Sequence, residues 1–140
     1  MIIIKSKPDF DFIKYCFSKD KDLLDKYHIV AGQGLDMCAS NTFNLLHDNN
    51  VEMFKIFDYN DNIVGFFGKE KHNVLTGFFI APEFRGSSDI WNKILENFSM
   101  PVRTAFYLKN TRAIKALNKQ GFRIKQLIDT DLGKAVLMEN

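Results

Sequence analysis

The chain has 140 residues, room for one domain spanning 1–140 with a sizeable core of its own. Basic residues exceed acidic ones only by 19 to 17 and are dispersed, which argues against a nucleic-acid-binding surface. The apolar Ile2-Ile3-Ile4 run ends at Lys5, too soon for a signal peptide or a membrane span, so a soluble cytoplasmic protein is expected.

Met1 to Lys7 reads as a short β-branched strand. Pro8-Asp9 starts a helix in which Phe10, Ile13 and Phe17 form one stripe at helical spacing. Lys19 to Lys26 continues as a second helical piece with Leu23 and Leu24 as its apolar side. Gly32 and Gly34 break the chain, and Ala31 to Ala39 is expected to be a loop. Asn41-Thr42 then caps a short helix carrying Phe43, Leu45 and Leu46. Cys16 and Cys38 form no CxxC pair and have no His at ligand spacing. Two buried free thiols are expected, and no metal site.

Glu52 to Asp58 alternates, Tyr59 to Asn62 is turn chemistry, and Ile63 to Phe67 returns, which makes a hairpin. Glu70 to Asn73 is the next turn, and Val74 to Ile80 is a third strand, apolar enough to be central. Ser87-Ser88 caps a helix with Ile90, Trp91, Ile94, Leu95 and Phe98 on one stripe, stopped by Pro101. Val102 to Leu108 alternates as a strand. A strand-helix-strand crossover of this length requires Val74–Ile80 and Val102–Leu108 to run parallel. Asn110 or Thr111 caps a last helix with Ala113, Ile114 and Leu117 facing the core. Gly121 ends it where a left-handed cap needs no Cβ. Phe122 to Ile128 and Lys134 to Met138 form a terminal hairpin. The fold class is α/β of the mixed, α+β kind: an antiparallel meander, then a β-α-β crossover, flanked by helices.

This order is similar to that of the GNAT superfamily of N-acetyltransferases over nearly the whole chain. The local matches are Asn62-Ile63-Val64-Gly65, Pro82-Glu83-Phe84-Arg85-Gly86, and Asn110-Thr111-Arg112-Ala113-Ile114 with Gly121-Phe122. The resemblance implies acetyl-CoA lying where the two parallel strands splay apart. The pantetheine arm would pair with backbone near Phe79, Ile80 and Ala81. The pyrophosphate would rest on Arg85, Gly86, Ser87 and Ser88, where N–H groups at a helix start form an anion site. Asn110 would face the cofactor, and backbone N–H near Ile80 would polarise the acyl carbonyl.

The chain departs from the family pattern Arg/Gln-x-x-Gly-x-Gly/Ala, placing Ser88 and Ile90 on the two small positions. Asp89 lies beside them. A carboxylate about 5 Å from a phosphate costs about 3 kcal/mol, or about a hundredfold in affinity, at an effective dielectric near 20. Pointing away, Asp89 would merely favour the helix's first turn. The family's tyrosine four residues before Gly-Phe is replaced by Leu117. Tyr107 on the preceding strand is then the candidate general acid, and His72, in the turn before the central strand, a candidate on the acceptor side. Glu83, Glu52 and Asp58 are weaker candidates, and His28 and His47 are expected to be remote from the splay. Two functions stay open: N-acyl transfer from acetyl-CoA to an unidentified amine, or a catalytically inactive domain of the same fold with a structural or binding role. The chain also resembles, more loosely, GNAT-like internal virion proteins of short-tailed phages. That resemblance would imply viral protein partners and packaging in a particle. A third reading keeps coenzyme A as a ligand without chemistry.

Overall fold

All 140 residues are described by the computed structural model. Seven alternating segments form one mixed sheet: β1 (Ile2–Ser6), β2 (Val51–Phe57), β3 (Ile63–Glu70), β4 (Val74–Ile80), β5 (Arg103–Tyr107), β6 (Arg123–Thr130) and β7 (Gly133–Glu139). Their order across the sheet is β1-β2-β3-β4-β5-β7-β6, with β7 inserted between β5 and the edge strand β6. Every pairing is antiparallel except β4 with β5. The mixed α/β fold class, the meander and the parallel crossover are therefore all present.

Each face of the sheet carries two helices. On one side lie α1 (Phe10–Phe17) and α2 (Leu35–Leu46). Asp9 caps α1, its carboxylate accepting from the Phe12 N–H at 3.1 Å. Ile13, Cys16 and Phe17 from α1 and Cys38, Ala39 and Leu46 from α2 pack against Met53, Phe66 and Phe79 of the sheet. Phe17, Phe66 and Phe79 lie with ring centroids 5.7–6.0 Å apart, a geometry in which aromatic pairs attract beyond simple burial. Cys16 and Cys38 are free thiols in this layer. Burial pushes the Cys16 thiol up to about 12, which makes it a packing residue rather than a nucleophile.

On the other side lie α3 (Ser88–Leu95) and α4 (Thr111–Lys119). Ile90, Trp91 and Ile94 from α3 and Ile114 and Leu117 from α4 pack onto Ile56, Phe67, Leu75 and Val136. The position where the family carries a tyrosine is thus a fully buried core leucine, Leu117. Asn110 caps α4 by accepting from the Ala113 N–H at 3.2 Å, and Gly121 follows at φ 91°.

One sequence expectation is corrected and another is shifted in its bounds. The segment 31–39 is not a loop throughout, because α2 begins at Leu35, immediately after Gly34 at φ 95°. Asn41 and Thr42 therefore sit inside that helix and do not cap it. Gly32 and Gly34 do break the chain, but burial of Cys38 and Ala39 holds the helix from Leu35 onward. The second helical piece is present with shifted bounds: residues 21–27 are helical and end in the π-type turn Leu23–Tyr27, and the Asp20 side chain accepts from the Leu23 N–H at 3.1 Å.

Candidate functional site

The site begins with a fault in the sheet. β4 pairs with β5 only at Val74–Arg103 and Leu75–Thr104. Thr104 fixes that end of the pair by donating its hydroxyl to the Leu75 carbonyl at 2.7 Å. Two residues further, Gly77 takes φ 74° and the register of β4 against β3 shifts between Phe67 and Lys69. A glycine at positive φ accommodates an extra residue that a side chain would strain, and the bulged strand turns away from its neighbour. Past this point β4 and β5 exchange no ladder bonds. Phe78 stands beside the parting, its ring 5.3 Å from Phe106 of β5 and 4.8 Å from Trp91 of α3.

Beyond this aromatic group lies a cavity of about 370 Å³. Its walls come from the end of β4 (Phe78, Phe79, Ile80), the turn into α3 (Phe84 to Ser88), Trp91, Leu23, and one side of α4 with Asn110 before it. Of the residues expected to hold cofactor, Phe79, Ile80, Arg85, Gly86, Ser87, Ser88 and Asn110 line this space. Ala81 does not. It is buried in the α1–α2 layer, and its N–H donates to the Val64 carbonyl at 2.7 Å. The N–H groups of Gly86, Ser87, Ser88 and Asp89 make no hydrogen bond within the chain, and Ser87, the residue before α3, caps nothing with its hydroxyl. These are the unspent donors a helix start presents. Asp89 is exposed and does not line the cavity, an arrangement in which it favours the first turn of α3.

Arg85 is placed differently from a phosphate ligand. Its Nε donates to the Ile80 carbonyl at 2.8 Å and its Nη2 to the Asp20 carboxylate at 2.5 Å. Arg112 of α4 meets the same carboxylate through two N–H groups, and its guanidinium stacks over the Tyr27 ring at 4.8 Å. Asp20 is 4% exposed. Burial pushes its pKa up, but the hydrogen bonds from Arg112, Arg85 and the Leu23 N–H outweigh that and hold it below the ordinary carboxylate range. One carboxylate thus joins the end of α1, the loop after β4 and the start of α4 beneath the cavity. Arg112 belongs to the Asn110-to-Ile114 match, but its ion pair is not legible there, since Asp20 lies 65 positions from Arg85 and 92 from Arg112.

The two proton-transfer candidates fall outside the cavity. Tyr107 ends β5 opposite Ala135, and strand alternation turns it to the face away from Phe106 and α3. His72 lies in the turn before β4 at φ 65°, beside Asn73, Met100, Pro101 and Arg103 in a separate shallow recess. Eight residues of extended chain, about 25 Å, separate it from Ile80. A strand delivers its two ends to opposite rims of a sheet, so His72 and the splay cannot share a site. His28 is buried and does not reach the cavity either. Val30 N–H donates to its Nδ1 at 3.2 Å, which leaves the proton on Nε2 to be donated to the Thr42 hydroxyl at 3.0 Å. Burial, with Lys109 nearby, depresses its pKa to about 4.

Sequence reasoning also passed over Lys115 and Lys119, which line the cavity with Arg112 from successive turns of α4. The signal was present: three cations at 112, 115 and 119 in a helix without one acidic residue.

The sequence matches no protein-family model and no curated protein. The structure does match solved ones. A spermidine N-acetyltransferase from Vibrio cholerae, solved with CoA and spermine, superposes with a TM-score of 0.63 at 16% identity, covering 99% of this chain and 94% of that one. A point mutant of the same enzyme gives 0.61 at 15% identity, with the same coverage. A dodecameric form in an intermediate state gives 0.58 at 16% identity, covering 99% and 92%. At such identities the likeness establishes the fold alone, the fold that these N-acetyltransferase structures have. None of these neighbours supports the looser resemblance to virion proteins.

Proposed function

We propose, on the premise of this acetyltransferase fold, that the chain transfers an acetyl group from acetyl-CoA to a small amine. The single observation that carries the reading is the early end of the β4–β5 ladder, opening onto a cavity of about 370 Å³ at the start of α3. The aromatic wall of Phe78, Phe84 and Trp91 suits a pantetheine arm. The unspent N–H groups of Gly86, Ser87 and Ser88 suit a pyrophosphate.

In the reaction the amine nitrogen attacks the thioester carbonyl, a C–N bond forms, and collapse of the tetrahedral intermediate breaks the C–S bond. The thiolate leaves and the nitrogen gives up its proton. No carboxylate, histidine or tyrosine lines the cavity. The protein's contribution is therefore orientation and electrostatic stabilisation, with protons exchanged to water at the mouth. The neighbour solved with spermine makes polyamines the first acceptors to try.

The same lack of a proton-transfer side chain favours a second reading, in which coenzyme A is bound without chemistry. One experiment separates the two. Release of free thiol from acetyl-CoA is followed with spermidine, spermine and a panel of simpler amines. Amine-dependent thiol release supports transfer. Saturable acetyl-CoA binding with no release above buffer, for any amine, leaves only the second reading.

A further inference from the structure

Seventeen residues line the cavity; Arg85, Arg112, Lys115 and Lys119 are among them, and no Asp or Glu is. The four cations are not equivalent. Arg85 and Arg112 share Asp20 beneath the floor, so their charge is largely answered within the protein. Lys115 and Lys119 have no ion pair and no hydrogen-bond partner, and both are exposed. They stand four apart on α4, the spacing that puts two side chains in one row, where like charges weaken an isolated helix by about 0.2–0.5 kcal/mol. Lys119 gains something back from the negative helix end, but Lys115 lies too far inside for that. Several other exposed lysines also lack an ion pair; what sets this pair apart is that both line a cavity without a carboxylate, which suits an anion.

Across the opening, the turn into α3 lacks the usual means of gripping phosphate. Gly86 is its only glycine, Ser87 and Ser88 follow, and Ile90 is a core residue. Arg85 is engaged by Asp20 and the Ile80 carbonyl. We propose that the phosphate end of the cofactor is clamped by the ammonium groups of Lys115 and Lys119 on α4, opposite the free N–H groups of Gly86 to Ser88. This inference rests on the acetyl-CoA reading above and assigns its charge recognition to a helix side rather than to a glycine-rich loop. The small residues Ala113 and Ala116 on the same side of α4 leave the arm room to pass beneath the two lysines.

The test is calorimetric titration of the folded protein with acetyl-CoA, acetyl-pantetheine and ADP, comparing wild type with the double variant Lys115→Ala/Lys119→Ala. At low salt the double variant should bind acetyl-CoA about 25-fold more weakly, about fivefold per charged contact. Its affinity should fall less steeply with added salt, and acetyl-pantetheine, which has no phosphate, should bind both proteins equally. Lys125→Ala, on β6 and outside the cavity, is the control and should bind like wild type. Unchanged acetyl-CoA affinity in the double variant overturns the clamp and leaves the acetyl-CoA reading standing. ADP binding that is lost in the double variant, in a protein indifferent to acetyl-CoA, sustains the clamp and removes the acetyl-CoA reading. A wild type that binds neither compound overturns both.

Discussion

The two halves of the sheet use their strand pairings to opposite ends. From β1 to β4 the ladders run almost the full length of each strand, with Val51 to Phe57 paired along β3 and helices α1 and α2 sealing the face. Between β4 and β5 the ladder stops after two residue pairs, and the strands part. In the first half every device closes space: Gly65 lets β3 approach β4 so tightly that an added Cβ would stand 1.8 Å from the Phe79 carbonyl oxygen. In the second, Gly77 and Gly86 face open space at positive φ, and glycine there serves conformation rather than close approach. The difference shows how one sheet yields a sealed platform and an open cleft. The backbone N–H groups of Gly86 to Asp89, which have no partner in the chain, lie on the side where pairing ends.

The comparison can be broken most severely on the sealed side. Gly65→Ala must force β3 and β4 apart, because the obstructing atoms are backbone, and should destabilise by ~4 kcal/mol or more. On the open side, Gly86→Ala meets no neighbour and carries only the strain of its φ of 90°, about 1 kcal/mol. Urea unfolding midpoints of the two variants check this, and equal losses would erase the distinction.

The next effect comes from His28, in the α1–α2 half. It is neutral when folded and its pKa lies near 4, against 6.5 in the unfolded chain. The unfolded state therefore binds the extra proton first as pH drops. The stability due to the neutral imidazole is whole above pH 6.5, declines below it and is gone by about pH 4, a loss of up to ~3 kcal/mol. His28→Gln should flatten the stability profile in that window. A profile as steep as wild type would show that other groups govern it.

Asp20 titrates lower and on the open side. Its carboxyl is held below 3.8, so its contribution is present above that value and is lost as pH falls further. Asp20→Asn should cost ~2 kcal/mol, less than for a sealed ion pair because the arginine side chains are 32% exposed. It should also loosen Arg85 from the cavity floor, which a change in acetyl-CoA affinity would report. The smallest effect belongs to Asp89. Since it is exposed and outside the cavity, Asp89→Gly should alter acetyl-CoA affinity by less than about twofold. A hundredfold tightening would restore the repulsion that the sequence suggests.

That reversal illustrates where the sequence was informative. The meander, the crossover and its parallel sense followed from alternation, stripe spacing and connection length, which are local. The start of α2 did not, because Cys38, Ala39 and the His28–Thr42 bond stabilise it from outside the segment. Phe79, Ile80 and Arg85 to Ser88, which the family resemblance implies for a cofactor, do line the cavity. The direction of Arg85 was not legible, since it depends on a carboxylate 65 residues earlier. His72 was misplaced because a turn residue was assigned to an acceptor side without asking which end of the strand that side occupies. The row Arg112, Lys115, Lys119 stands at helical spacing in the sequence, but what it faces is set by the turn into α3, which is distant along the chain.

If acetyl-CoA binds where β4 and β5 part, its addition must move backbone amide chemical shifts there in NMR spectra. Saturable changes are expected at Phe78 to Ile80, Gly86 to Asp89 and Asn110 to Gln120, with β1, β2 and the His72 turn unmoved. Shifts absent from those three segments at saturating acetyl-CoA, or centred on His72, would contradict binding at that parting.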